Sequence, residues 1–268
     1  MQHAHTCLLS NQPNTMPPET TPSYALPIAI LLAFGIIAGV IFFSNASQSV
    51  SAPQLQSQRA TTGTTPSTEV IEPVTPVTGS DFVRGNPEAP IQIITYLDYD
   101  CATCKNYYMS LTRLIQDFGM NGQIAWTMRH MPLTEVHPNA MLLANAAECV
   151  GSLAGNRAFW KFTDALYDER SFFESTDISR IPEYAVAAGV DEQSFTTCVQ
   201  EERYHDYLLG TANEAFAAGA IGAPYTIFST NSEQGGLNGA QPYGALRIIV
   251  DDLFAQYEEF IEHQMEAQ

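Results

Sequence analysis

The sequence predicts an α/β domain with an all-helical insertion, preceded by a single transmembrane helix and a disordered linker. Three observations predict it. An apolar run, Ile91-Gln92-Ile93-Ile94-Thr95-Tyr96-Leu97, leads into Cys101-Ala102-Thr103-Cys104, and a helix-period run follows at Met109, Leu111, Leu114, Ile115 and Phe118. A long stretch of helical periodicity then separates this start from two further strands and a closing helix. Ahead of the domain, Leu26 to Phe43 runs for 18 residues without a charge.

Residues 1–25 read as unstructured, which leaves the lone Cys7 without a structural role. In a helix the run 26–43 reaches about 27 Å, roughly the hydrocarbon thickness of a bilayer. Pro27 falls in its first turn, where it costs little. A buried helix of that length in a soluble protein normally carries a polar face. Ser44-Asn45-Ala46 offers small residues for cleavage of a signal peptide. Against cleavage, the run is long for a signal core and no Lys or Arg precedes it, so a retained anchor is the favoured reading. Flanking charge says little about orientation, because only Glu19 lies before the run and Arg59 is the first basic residue after it. Gly35 and Gly39 form a weak small-residue signal for helix pairing. Residues 44–80, rich in Ser, Thr, Gln and Pro, read as a tether.

The folded domain is expected over 81–268. Its order is a strand at 91–97, a helix over about 102–118, and a strand over Gln123–Met131. An insertion over about 136–219 is helical throughout. Strands at Tyr225–Ser229 and around Gly235–Asn238 follow, then a helix from Pro242 to about His263. A β-α-β start, a helical insertion and a β-β-α finish make an α/β domain with a cap.

A Cys-x-x-Cys at a strand-to-helix junction places the first sulfur at the positive end of a helix, where free N–H groups stabilise a thiolate. The second sulfur lies one turn in, within reach of a mixed disulfide at the first. That is thiol–disulfide exchange chemistry. Half a zinc site is the competing reading. It wants a second pair or closely spaced histidines, whereas Cys7, Cys149 and Cys198 stand singly and far apart. No metal and no cofactor is expected. The net charge of −18, from 11 Lys+Arg against 29 Asp+Glu, argues against nucleic acid and anionic membrane surfaces as partners.

Four stretches together resemble the DsbA-like branch of the thioredoxin superfamily: Asp81-Phe82-Val83-Arg84-Gly85-Asn86-Pro87, Tyr96 through Cys104, Arg129-His130-Met131-Pro132-Leu133, and Gly222-Ala223-Pro224-Tyr225. Gly239-Ala240-Gln241-Pro242-Tyr243 also looks like that family's entry to its last helix. The resemblance implies a thioredoxin-like fold with an inserted helical domain. It makes Cys101 the nucleophilic thiol, Cys104 the resolving thiol and Pro224 a cis-proline beside them, with the main chain of Ala223 offered to an extended substrate. It also implies that exported, unfolded or partly folded proteins are the substrates. A membrane quinone-linked thiol oxidase would reoxidise the pair.

The chain departs from its relatives in two places. Thr95 stands six residues before Cys101, where relatives often carry a buried acid, and the dipeptide between the cysteines is Ala-Thr. Asp98 and Asp100 either raise the Cys101 pKa, making a milder oxidant, or are solvated surface acids of little effect. Tyr99 is a candidate contact for bound peptide, while Tyr107 and Tyr108 are expected to pack the helix against the cap. Some relatives carry a second disulfide in the helical domain. Cys149 and Cys198 are either such a pair or two buried thiols. His130 reads as a packed histidine, and His137-Pro138 as a helix opening. Phe159, Trp160 and Phe162 read as core.

The main expectation is a membrane-anchored oxidoreductase with its catalytic domain outside the cytoplasm, on the periplasmic or cell-surface side. The alternatives are a reductase or isomerase using the same site, and a non-catalytic chaperone or binding module.

Overall fold

The computed structural model of the chain describes residues 72–169, 176–230 and 233–266. The segments read as an N-terminal tail (1–25), a membrane helix (26–43) and most of the linker lie outside these residues. Among the described residues no helix is long and apolar enough to cross a membrane.

A five-stranded sheet forms the centre, in the order β1-β3-β2-β4-β5. The strands are β1 (Val83–Gly85), β2 (Ile91–Leu97), β3 (Ile124–His130), β4 (Tyr225–Ser229) and β5 (Gln234–Asn238). β2 and β3 run parallel, with Ile93 opposite Trp126, and every other pairing is antiparallel. The parallel pair requires a crossover, which α1 (Ala102–Leu114) supplies. The insertion consists of α2 (Ala140–Ala154), α3 (Asn156–Glu169), α4 (Ile181–Ala188), α5 (Glu192–Gln200) and α6 (His205–Ala217), and α7 (Tyr243–Glu266) closes the chain.

β2 is apolar without alternation because both of its faces are buried. Ile91, Ile93 and Leu97 join the main core with α1, α2, α3 and α7, while Ile94 and Tyr96 join a second cluster with Ala212 and Ala215 of α6. Phe159 and Phe162 are fully buried and Trp160 is 5% exposed, so the aromatic run of α3 is core as expected. Phe82 stacks on Phe159 at 4.2 Å between ring centres. Gly151 of α2 leaves room for it, since a Cβ there would lie 2.1 Å from the Phe82 ring. Tyr107 and Tyr108 divide their work. Tyr107 hydrogen-bonds Thr226 of β4 at 2.7 Å, whereas Tyr108 stacks on Tyr167 of the insertion at 4.3 Å.

The folded body begins earlier than residue 81. Val74 is 3% exposed and its N–H donates to Gln234 Oε1 at 3.1 Å. The reason lies at Arg129, on the opposite face of β3 from Trp126. Its guanidinium is buried and collects Asp81, Glu214 and the carbonyls of Thr75 and Pro76. A buried cation requires acceptors on every side, and residues 75–81 supply them together with Glu214. This extends to the end of the segment assigned to the tether.

Cys149 of α2 and Cys198 of α5 form a disulfide, with Cα atoms 5.9 Å apart. The bond closes a loop of 49 residues, for which chain entropy assigns about 4 kcal/mol. Cys149→Ala/Cys198→Ala is expected to lower the unfolding free energy by 2 to about 4 kcal/mol in urea titration, with exchange at Cys101 retained.

Candidate active site

β2 ends at Leu97 and α1 begins at Ala102, so the chain turns sharply over residues 98–101. Cys101 is the N-cap of α1. Its backbone is extended, at φ −92° and ψ 122°, and its sulfur accepts a hydrogen bond from the Cys104 N–H at 3.4 Å. Serine or aspartate commonly fills this role with oxygen. A sulfur held there is stabilised as the anion by the same N–H and by the helix dipole.

The Thr103 hydroxyl lies 3.0 Å from the Cys101 sulfur, and the carbonyl oxygen of Ala223 lies 3.9 Å from it. The peptide bond between Ala223 and Pro224 is cis. Cys101 is 6% exposed and Cys104 is fully buried, and both are free thiols.

The two sulfurs are electrostatically unlike. The Cys101 thiol is brought down to about 6, chiefly by a hydrogen bond from the Cys104 side chain. Burial opposes this, the Thr103 hydroxyl and the Cys104 N–H assist it, and the Asp98 charge opposes it least. Burial drives the Cys104 thiol well above its ordinary value, and the nearby Cys101 sulfur adds to that. At neutral pH the pair therefore holds one thiolate, on the outer sulfur, and one proton, on the inner. The outer sulfur is poised to attack and the inner to resolve.

A direct check is the thiolate absorbance near 240 nm of the reduced protein, which is expected to titrate with a midpoint of about 6. The depressed value also makes stability depend on pH. The reduced fold gains stability as pH rises from about 6 toward the ordinary thiol range, and loses that gain as pH falls through about 6. The oxidised protein has no such thiolate and is expected to lack this dependence.

A thioredoxin family model matches residues 77–232. The chain belongs to the thioredoxin family. Its fold is that of the DsbA-like branch. Solved structures similar to it include alpha-DsbA1 of Wolbachia pipientis, with TM-score 0.59 and 17% identity over 69% of this chain and 96% of that one. Another is the thiol-disulfide exchange protein alpha-DsbA2 of the same organism, with TM-score 0.52 and 22% identity over 65% and 87%. Among curated proteins, an antiporter named Na(+)/H(+) antiporter NhaA 1 from Mycolicibacterium gilvum is 34% identical over 137 residues, 51% of this chain. The chain spans about a fifth of the length of the curated relatives it matches.

In this DsbA-like fold Cys101 and Cys104 lie beside the cis Ala223–Pro224 peptide. Tyr99 does not join them. It is 1% exposed, its hydroxyl lies 2.8 Å from that of Thr163, and its ring packs against Tyr167 and His130. Adjacency to Cys101 in sequence suggested a peptide contact, but the turn points Tyr99 inward, where it ties α3 to the site. Asp98 and Asp100 are not surface acids either, each being 2% exposed. Thr95 accepts the indole N–H of Trp126 at 2.9 Å. His130 is fully buried, with its Nε2 3.0 Å from Glu148.

His137 differs from its expected role. α2 starts at Ala140 behind Asn139, and the His137 ring instead meets Asp98 at 2.8 Å. No short-range pattern signals this contact, because 39 residues separate the partners.

Proposed function

We propose that this chain is an extracytoplasmic thiol–disulfide oxidoreductase that passes a Cys101–Cys104 disulfide to exported proteins that are unfolded or partly folded. One observation carries the reading: the Cys101 sulfur caps α1 with a thiol near 6, beside a fully buried Cys104 whose thiol is driven up. A stabilised outer thiolate favours the reduced pair, and so favours giving the disulfide away. The second disulfide, Cys149–Cys198, supports an oxidising compartment outside the cytoplasm.

In the reaction a substrate thiolate attacks the Cys101 sulfur and breaks its bond to Cys104. A second substrate thiolate then attacks the substrate sulfur of the mixed disulfide, closing the substrate's own disulfide and releasing Cys101 as the thiolate. Ala223 would present its main chain to the substrate beside Pro224. A membrane quinone-linked thiol oxidase would restore the enzyme disulfide. Residues 26–43 would hold the domain at the membrane, near that partner and the emerging substrates. The antiport named for the curated relatives is not carried over, because the match spans about a fifth of them.

Equilibration of the chain with glutathione buffers tests the direction. A reduction potential near or above about −180 mV is expected, and a value near about −270 mV would make the chain a reductase. If Cys101→Ala/Cys104→Ala still performs the native role, the site is not catalytic and a chaperone or binding module replaces this reading.

A further inference from the structure

We propose that Asp98 and His137 form a proton relay for Cys104, replacing an acid at the strand position that Thr95 occupies. The inference rests on the exchange reading of the cysteine pair and extends it to the proton of the buried sulfur. Cys104 is fully buried, so a bare thiolate there is costly. Each time the enzyme disulfide opens, the electron pair leaves on that sulfur, and a proton must follow it.

Asp98 is placed to supply it. The residue sits in the turn that carries both sulfurs, and its side chain is fully buried. Its carbonyl oxygen accepts the Cys101 N–H at 3.3 Å and the Tyr167 hydroxyl at 3.4 Å. The Asp98 charge acts on both thiols, raising each. On the carboxylate, Oδ1 accepts the Asp100 N–H at 2.8 Å and Oδ2 accepts the Leu133 N–H at 2.9 Å. Oδ2 also lies 2.8 Å from His137 Nδ1, and the His137 side chain is 24% exposed. The two groups thus lead from the cysteine turn to solvent, and imidazole can both accept and give a proton.

Thr95 is committed elsewhere, to the Trp126 indole. Other ionisable groups near Asp98 are Cys101 at the N-cap and Cys104 in the first turn of α1, Asp100 in the same turn, and the phenols of Tyr99 and Tyr167. Burial holds both phenols protonated.

When a substrate thiolate attacks Cys101, one S–S bond forms and the Cys101–Cys104 bond breaks. Cys104 then takes a proton from the relay, which recovers one from water through His137. In reverse, the relay removes that proton as Cys104 attacks Cys101, and the substrate leaves as its thiolate. The substrate is the only redox partner either way.

The test is the reaction of the reduced full chain with 5,5′-dithiobis(2-nitrobenzoate), followed by stopped flow. The first release of thionitrobenzoate reports attack by Cys101, and the second reports resolution by Cys104. Asp98→Asn is expected to slow the second release about 10²-fold at neutral pH. The second release should then rise in proportion to hydroxide. The first release should hold or quicken, because the charge opposing the Cys101 thiolate is gone. His137→Gln keeps a donor for Asp98 but not the exchangeable site, and is expected to slow the second release selectively and change its pH profile in the same way.

If both variants keep the parent pH profile for the second release, or slow both releases by one factor, the relay is wrong. Should Asp98→Asn lose its fold by circular dichroism, His137→Gln decides alone. If the parent itself shows no first release at Cys101, the exchange reading fails, which is a separate outcome from failure of the relay.

Discussion

Replacing Cys101 with Ser is expected to lower thiol–disulfide exchange by about 10⁶-fold, the order of loss seen when a nucleophile is removed. A hydroxyl at the N-cap still accepts the Cys104 N–H, so the fold is kept while the thiolate is gone. Cys104→Ser should behave differently. Cys101 still attacks a disulfide, but nothing resolves the adduct, and mixed disulfides accumulate that dithiothreitol releases on a gel. Cys104→Ala probes the cause of the low thiol value. The hydrogen bond from the Cys104 side chain is the largest lowering influence on Cys101. Without it the thiolate midpoint should move up from about 6, while the helix N–H remains in place. A midpoint that stays put in Cys104→Ala would assign the effect to the helix end.

The second large effect is expected at Arg129, far from the sulfurs. Its side chain is 5% exposed and faces Asp81 and Glu214, at 7% and 20%. Arg129→Met removes the cation and leaves two carboxylates close together with no partner of opposite sign. Breaking a buried pair in this way costs about 3 to 5 kcal/mol, read as a fall in the urea midpoint. Adding Asp81→Asn should return part of that loss, because the uncompensated charge is what destabilises. A loss below about 1 kcal/mol would mean the network behaves as a solvated surface pair.

Much of this architecture was legible in the sequence, and the gaps have physical causes. β2 was legible because both of its faces are buried, which writes an unbroken apolar run. The cysteine motif was legible because N-capping and the helix dipole act within four residues. β1 was missed because three residues, Val83–Gly85, carry no period. The start of the body at Val74 was missed because Arg129, more than fifty residues on, is what draws 75–81 in. Tyr99 was misplaced because proximity along the chain says nothing about the direction a turn gives a side chain. The Asp98–His137 contact joins two loops that only the assembled sheet brings together.

The sheltered position of Cys149 and Cys198, both fully buried, separates two sulfur chemistries within one small body. Thiol exchange needs an approaching thiolate, and none can approach that pair while the helices around it stay packed. On the proposed function the outer pair would then cycle between its two states many times without the brace being exchanged along with it. On that reading the domain would carry a working pair and a permanent bond, told apart by access.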